Sequence, residues 1–255
     1  MSIKLTFMII SYKIHEVAPY INWIYFFHAW GFQPRFAAIA HIHGCDACRA
    51  MWLASFPVEE RSKASEAMQL FKEAGRMLAT LEETGDRMDA EEAATRQQAV
   101  AFGNAAETPD NQGGGNFRIK TVVKLLPANA DGDNLLITKE NGEKMRFPLL
   151  RQQVVKREQS PFLCLSDFIR PLSSGIADRI GAFASTVDPR MEQMYADDPY
   201  KHLLVQTLSD RLAEAATEKM HEQVRKEVWG YAPDEDLSIP DLLVEKYQGI
   251  RPAVG

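Results

Sequence analysis

The sequence predicts an α+β protein in which a central antiparallel sheet is flanked by helices, one of them a long C-terminal helix. Three observations support this fold class: consecutive strand-like segments joined by Asp-Gly and Asn-Gly dipeptides, two long segments with helical spacing of apolar residues, and no regular alternation of strand and helix patterns. Strands that follow one another directly pair as antiparallel neighbours, whereas parallel strands need a crossover segment between them.

Composition narrows the class of protein. The chain has 255 residues, of which 45% are hydrophobic and 25% charged, as in ordinary globular domains. The formal net charge of −6 and the lack of long Lys/Arg runs predict that the protein does not bind nucleic acid. The low, odd number of cysteines indicates a reducing compartment, and the apolar run 5–10 is too short to cross a bilayer. We therefore expect a cytoplasmic protein that is not inserted in a membrane.

The N-terminal half contains an aromatic segment and a long polar stretch. Residues 17–36 are dense in Trp, Tyr and Phe, and this predicts burial in a core or an interface because each ring carries a large apolar area. Apolar residues at spacings of three and four predict a helix over 59–83. The stretch 84–116 is rich in Ala, Glu and Gln and ends in TPDNQGGGN, so we expect a polar helix followed by a flexible insertion.

Strand chemistry begins after this stretch. Segments 117–128, 131–138 and 141–150 are β-branched or partly alternating, and the Asp-Gly and Asn-Gly pairs between them predict tight turns. A further strand is expected over 178–186. Together these segments predict an antiparallel meander.

The C-terminal third has helical patterning. From Asp198 to Val228 an apolar residue recurs every fourth position, which predicts one amphipathic helix of roughly 30 residues, about 45 Å long. Gly230 is placed to end this helix. Ser238 is placed to cap a shorter helix, with Pro240 in its first turn.

One short motif has the residue types of a metal site. The sequence HIHGCDAC places His41, His43, Cys45 and Cys48 within one short segment. A Cys-x-x-Cys pair with two histidines can bind zinc, although the usual loop between the two ligand pairs is missing. The alternatives are a turn with incidental thiols and imidazoles, and a redox role without the expected strand–helix context. We predict no metal site, with these four residues as the candidate ligands if one exists.

Several segments of the sequence are specific enough to be compared with known families. They are YINWIYFFHAWGF (20–32), LFKEA (70–74), PANADGDN (127–134), RQQ (151–153), CLSDFIRPLSSGIADRIGAFA (164–184), DDPYKHLLVQTLSDRLAEAATEKMHEQVRKEVWGYAP (197–233) and YQGIRPAVG (247–255). Over these segments the chain resembles the activation domain of cobalamin-dependent methionine synthase. The last two segments are the most specific.

The resemblance implies a C-shaped α+β domain with a shallow groove for S-adenosylmethionine. It also implies two partners: a cobalamin-binding module and a flavodoxin-type electron donor. In this family the donor reduces inactive cob(II)alamin, and the bound S-adenosylmethionine then methylates the cobalt. The domain contributes positioning, while the cofactor carries the difficult chemistry.

Three positions of the ligand site carry over from the family, and a fourth, Ala253, is assigned to the site beside them. Arg251 matches the arginine of the R-x-x-x-G-Y motif, and its planar fork suits the ligand carboxylate. Ala253, in the same motif, is assigned to the site with it. Glu214 matches a glutamate near the ligand amino group, although its place opposite the leucine stripe also fits a solvated face. Asn22 matches a position that some members fill with aspartate, although it also fits a turn asparagine.

The sequence also departs from the family pattern. The motif stops at Gly255 before its tyrosine, so we expect a single domain over 1–255 that is incomplete at its C-terminus. We expect weakened ligand binding and no methionine synthesis by this chain alone, since the methyltransferase, folate and cobalamin modules are absent. The alternatives are a docking module that uses 20–32, a zinc-supported structural domain, and a gene fragment without its own role.

Overall fold

The computed structural model describes residues 7–101, 118–139, 141–154 and 161–252. Its helices and antiparallel strands confirm the predicted α+β class. The strands are β1 (Phe7–Tyr12), β2 (Ile119–Asp131), β3 (Asn134–Thr138), β4 (Lys144–Pro148) and β5 (Asp178–Val187). The helices are α1 (Ile14–Val17), α2 (Trp23–Ala29), α3 (Asp46–Ala54), α4 (Arg61–Ala101), α5 (Arg190–Gln193), α6 (Pro199–Gln223) and α7 (Ile239–Leu243).

The chain divides into two compact units. Unit 1 comprises residues 1–10, 121–184 and 221–255, and unit 2 comprises residues 11–120 and 185–220. The expectation of one domain over the whole chain stays a prediction.

The sheet belongs mainly to unit 1. Its order is β1-β2-β3-β4, and β5 also pairs with β2. The two predicted hairpins are confirmed: β2 and β3 are antiparallel with Ala128 opposite Ile137, and β3 and β4 are antiparallel with Leu135 opposite Phe147. Buried residues alternate along β2 and β3, as the strand period requires. The core beside this sheet contains Ala128, Leu135, Ile137, Leu126, Leu149, Ile169 and Ile180.

Glycines make the two hairpin turns possible. Gly132 has φ of 59° and Gly142 has φ of 82°, values that cost side-chain-bearing residues steric strain. These are the glycines of the predicted Asp-Gly and Asn-Gly turns. The Asp-Gly and Asn-Gly dipeptides therefore predict the positions of both hairpin turns correctly.

Helix α4 is the longest element of unit 2. It begins at Arg61 and confirms the predicted helix, but it continues through the polar stretch as far as Ala101. Its apolar side is buried at Ala64, Ala67, Leu70, Ala74, Met77, Leu78 and Leu81. The remainder of the predicted insertion, 102–116, lies outside the described residues.

The aromatic segment packs against α4. Phe26 and Phe27 are 0% exposed, and the Trp23 ring meets the Phe71 ring edge-on at a centroid distance of 4.8 Å. Tyr25, on the other side of α2, is 57% exposed. Burial in the core is therefore confirmed for one face of α2, because a helix in contact with one neighbour buries only one face. Burial of the exposed face in an interface stays a prediction.

The long helix α6 confirms the predicted apolar stripe. Leu204, Leu208, Leu212, Ala216 and Met220 are all buried. A spacing of four exceeds the 3.6 residues of a helical turn, so the stripe drifts around the helix. The helix ends in a wider π turn, Val224–Val228, in which the Trp229 N–H donates to the Val224 carbonyl at 2.8 Å.

The chain turn after α6 and the start of α7 follow the predicted signals. Gly230 has φ of 71°. The Ser238 hydroxyl accepts from the Asp241 N–H at 3.3 Å, as expected of an N-cap. None of the described helices combines the length and the apolar character that a bilayer crossing demands.

Candidate functional site

Asn22 caps the aromatic helix of unit 2. It is half-buried, and its Oδ1 accepts a hydrogen bond from the Ile24 N–H at 3.1 Å. The interpretation as a turn asparagine is therefore confirmed. The cap uses one lone pair of Oδ1, so by valence the amide can still donate two hydrogen bonds and accept another.

Helices α2 and α6 meet close to Asn22. Tyr25 lies one turn after Asn22, and the Arg211 guanidinium of α6 sits over the Tyr25 ring at 5.9 Å from its centroid. Arg211 Nη1 also donates to Glu214 Oε2 at 2.7 Å. The fold of unit 2 thus connects the helices of two predicted site residues, Asn22 and Glu214, through a cation–π contact and an ion pair.

Glu214 lies on the solvated side of α6. Its side chain is 58% exposed, whereas that of Arg211 is 17% exposed. The interpretation as a solvated helix face is confirmed. An exposed ion pair of this kind contributes only about 0.2–1 kcal/mol, so Glu214 can exchange Arg211 for another cation at little cost.

Arg251 belongs to unit 1, where it is half-buried. The backbone that leads to it is held by Tyr231, whose hydroxyl donates to the Gln248 carbonyl at 3.2 Å. Gly249 has φ of 96°, and a Cβ there would lie 3.0 Å from the Tyr231 hydroxyl, so the approach requires glycine. Ala253 lies outside the described residues. Because Asn22 and Glu214 belong to unit 2, the convergence of all four residues on one ligand stays a prediction.

A buried charged cluster lies beneath the C-terminal motif of unit 1. Arg225 is 0% exposed, and it forms a two-point ion pair with Glu235, Nε–Oε2 at 2.8 Å and Nη2–Oε1 at 2.5 Å. Its guanidinium also stacks on the Tyr247 ring at 4.3 Å from the centroid. Tyr247 begins the YQGIR motif, so this cluster anchors the segment that carries Arg251.

His221 completes the cluster. Arg225 Nη1 lies 2.7 Å from His221 Nδ1, and because arginine only donates, Nδ1 must be the acceptor and His221 is neutral. Burial, followed by the Arg225 charge, lowers the pKa of His221 to about 4. The Arg225 guanidinium also lowers the pKa of Glu235. Sequence reasoning missed this cluster, because the π turn directs Arg225 inward and helical periodicity alone does not predict that turn.

A polar groove in unit 2 was also missed. It has a volume of about 370 Å³ and is lined by Ser62, Ser65, Glu66, Gln69, Leu70, Glu73 and Tyr200. The Tyr200 hydroxyl donates to Glu73, which lowers the pKa of that carboxyl. Burial and the same hydrogen bond raise the pKa of Tyr200 to about 12. Glu73 and Tyr200 are far apart in sequence, so only the packing of α4 against α6 reveals the pair.

The candidate metal ligands lie at the start of α3. Among the described residues, the ligand atoms of His43, Cys45 and Cys48 lie within 4.8 Å of one another. His41, the fourth candidate named from the motif, is not part of this group. Hydrogen bonds from Cys48 and His43 lower the pKa of the Cys45 thiol to about 7. The Cys45 sulfur in turn raises the pKa of Cys48.

The architecture is that of an α+β protein with an antiparallel sheet, a second unit built mainly of helices, and a long helix that leads into the WGYAP segment, 229–233. The chain matches the family described as the vitamin B12-dependent methionine synthase activation domain over residues 13–113 and 86–255, and it belongs to that family. The resemblance expected from the sequence is confirmed.

A solved structure is similar over nearly the whole chain. It is a crystal structure of the MetH reactivation domain bound to AdoHcy, with 32% sequence identity and a TM-score of 0.68. The match covers 98% of this chain and 65% of that chain. The present chain therefore spans slightly less than two thirds of the relative that it matches.

Proposed function

We propose that this chain binds S-adenosylmethionine and supports the reductive methylation of cob(II)alamin in methionine synthase. One observation supports this most directly: a relative that is 32% identical, with 98% of this chain covered, was solved with AdoHcy bound. AdoHcy is what remains of S-adenosylmethionine after its methyl group has been transferred. A site that holds one of these molecules is suited to the other.

Three side chains would hold the amino-acid end of the ligand. Arg251 would grip the carboxylate, since a guanidinium can donate two parallel hydrogen bonds to it. Glu214 and Asn22 would accept from the ammonium group. Ala253 would contribute to the same site from the segment after Arg251. Because Arg251 would face the ligand carboxylate and Glu214 the ligand ammonium, these contacts would fix the orientation of the ligand as well as contribute to affinity.

The chemistry of unit 2 fits this assignment. Glu214 is largely exposed, and its ion-pair partner among the described residues is the neighbouring Arg211. A ligand ammonium can replace Arg211 because the exposed pair contributes little. Arg211 would keep its contact with Tyr25 after the exchange. Asn22 would keep its cap on α2, because Oδ1 has a second lone pair.

The proposed partners are a cobalamin-binding module and an electron donor. Cobalamin, carried by the cobalamin-binding module of methionine synthase, would supply the cobalt that accepts the methyl group. A flavodoxin-type protein would supply the electron, and the reaction would take place in the cytoplasm. The chain itself would bind and orient the methyl donor, and it would not synthesise methionine alone.

Isothermal titration of the purified chain with S-adenosylmethionine and with S-adenosylhomocysteine tests the proposal. We expect saturable binding of both, and Arg251→Ala should weaken it about tenfold or more, as for loss of a charge-assisted pair. Arg146→Ala is the matched control, because Arg146 is an exposed arginine of unit 1 that pairs with Asp131. No binding by the wild-type chain, or equal affinity in Arg251→Ala, would contradict the proposal.

A further inference from the structure

The cluster of His43, Cys45 and Cys48 is separate from the residues assigned to S-adenosylmethionine. Its sulfur and nitrogen atoms lie within 4.8 Å of one another. His43 is exposed, whereas Cys45 and Cys48 are partly buried. The cluster is therefore open to solvent on one side and backed by protein on the other.

The local fold brings the three side chains together. Cys45 is the N-cap of α3, and its Sγ accepts a hydrogen bond from the Cys48 N–H at 3.2 Å. That hydrogen bond holds the first helical turn so that the side chains at 45 and 48 face the same side. His43 approaches from the preceding turn, where Gly44 connects it to the cap. The three ligand atoms already lie within 4.8 Å of one another, so little rearrangement is needed to bind an ion.

We propose that His43, Cys45 and Cys48 form a binding site for one thiophilic divalent cation, with Zn²⁺ as the natural occupant. Two thiolates and a neutral imidazole would neutralise the charge of the ion. Tetrahedral zinc with Zn–S of about 2.3 Å and Zn–N of about 2.0 Å places its ligand atoms roughly 3.5–3.8 Å apart. Small side-chain rotations would close the present cluster to that size. Water would take the fourth position, on the exposed side.

The charges around the cluster are compatible with a cation. Arg49 is the nearby guanidinium, since its Nη2 would lie 3.7 Å from a Cβ at Gly44. Its Nη1 lies 3.6 Å from Asp46 Oδ1, so the Arg49 charge is offset by a carboxylate on the same helix. The cation would therefore meet two thiolates and a compensated arginine.

Titration of the reduced chain with Co²⁺, followed by displacement with Zn²⁺, tests the site. We expect one equivalent of Co²⁺ to give thiolate-to-metal charge-transfer absorption and the intense d–d bands of tetrahedral cobalt, and Zn²⁺ to remove both. Cys45→Ser should abolish the charge-transfer signal or weaken binding at least tenfold. Serine is a favoured N-cap, so this variant removes the thiolate while α3 keeps its cap. Cys48→Ser should have a similar effect, and His43→Ala should weaken binding by about 10-fold or more.

Two variants serve as controls. His41→Ala removes the neighbouring histidine that lies outside the cluster, and Cys164→Ala removes the buried cysteine of unit 1. Both should bind Co²⁺ like the wild type. Absence of the charge-transfer band in the wild type, or an unchanged Co²⁺ affinity in Cys45→Ser, would overturn the proposal. Rapid formation of a Cys45–Cys48 disulfide that added Zn²⁺ does not slow would overturn it as well and would indicate a redox dithiol.

Discussion

Arg225 and Glu235 form a two-point ion pair in which the arginine side chain is 0% exposed and the glutamate side chain 8% exposed. Such a pair contributes little net stability when intact, because both charges lose their hydration. Removing one partner is costly, because the other charge is then buried without compensation. The pair therefore makes the surroundings of Tyr247 and the YQGIR motif sensitive to single substitutions.

Glu235→Gln should destabilise unit 1 by about 3 kcal/mol, because it leaves the Arg225 charge buried and unpaired. Urea unfolding followed by circular dichroism measures the loss. Lys226→Ala is the matched control: Lys226 is a partly exposed neighbour 3.7 Å from Glu222, and its loss should cost about 0.5 kcal/mol or less. A loss below about 1 kcal/mol in Glu235→Gln would contradict the structural role given to the pair.

His221 should make stability depend on pH. The pKa of its imidazole is lowered from 6.5 to about 4 in the fold by burial and by the Arg225 charge. Between these two pH values the unfolded chain binds a proton that the folded chain does not. The free energy of unfolding contributed by this group is therefore complete above pH 6.5 and is lost as the pH falls to about 4. The loss should amount to about 3 kcal/mol.

Urea unfolding of the wild type and of His221→Gln at a series of pH values isolates this effect. Glutamine keeps an acceptor oxygen for Arg225 and does not titrate. The difference in free energy of unfolding between the wild type and His221→Gln should change between pH 6.5 and about 4. Contributions from the carboxylates are common to both proteins and cancel. Parallel curves would show that His221 is not held neutral by the fold.

Asn22→Asp should strengthen binding of S-adenosylmethionine several-fold without loss of stability. Aspartate caps a helix as well as asparagine does, and it adds a negative charge that would face the ligand ammonium. Asn22→Ala is the matched comparison: it should lower the free energy of unfolding by about 1 kcal/mol and weaken binding. Isothermal titration with parallel urea unfolding measures both. Weaker binding in Asn22→Asp than in the wild type would exclude an ammonium contact at this position.

Arg151 should hold residues 161–168 of unit 1 in place. It donates to Asp133 and Asp167, and Nη1 also reaches the Phe162 carbonyl at 2.6 Å. The Arg151 guanidinium holds the pKa of Asp167 at about 2. Lysine cannot reproduce a planar fork that serves three acceptors. Arg151→Lys should therefore loosen the connection between residues 151–153 and 161–168.

Hydrogen exchange of the Gln152 amide measures this loosening. That N–H donates to the Leu163 carbonyl at 2.8 Å, so it reports directly on the connection. Its exchange should become several-fold faster in Arg151→Lys. Arg146→Lys, which alters an exposed arginine paired with Asp131, is the control and should leave it unchanged. Equal protection in both variants would count against the role of Arg151.

Much of the fold could be predicted from the sequence because its signals are local. The apolar spacing from Leu204 to Met220 predicted α6. Gly132 and Gly142 predicted two hairpin turns, and both have the positive φ that such turns require. The Ser238 cap followed from residue type alone. Each of these depends on residues a few positions apart, where backbone geometry determines which atoms meet.

The candidate sites were predicted less completely. The Cys-x-x-Cys spacing predicted that Cys45 and Cys48 would meet, because one helical turn joins them. It could not decide between His41 and His43, since His41 ends a 3₁₀ helix, Pro34–His41, and His43 lies in the turn after it, so packing decides which imidazole meets the thiols. Arg251, Glu214 and Asn22 came from resemblance to a family, and their joint action on one ligand stays a prediction.

The sequence by itself determined which elements form, where they turn, and the family to which the chain belongs, since helical period, turn residues and motif order are all written along the chain. Only the tertiary structure decided that Arg225 lies buried against Glu235 and Tyr247, and that Tyr200 meets Glu73. A charge can be buried only when a partner of opposite charge is in place. Packing between elements that are distant in sequence selects that partner, so local sequence patterns do not predict it.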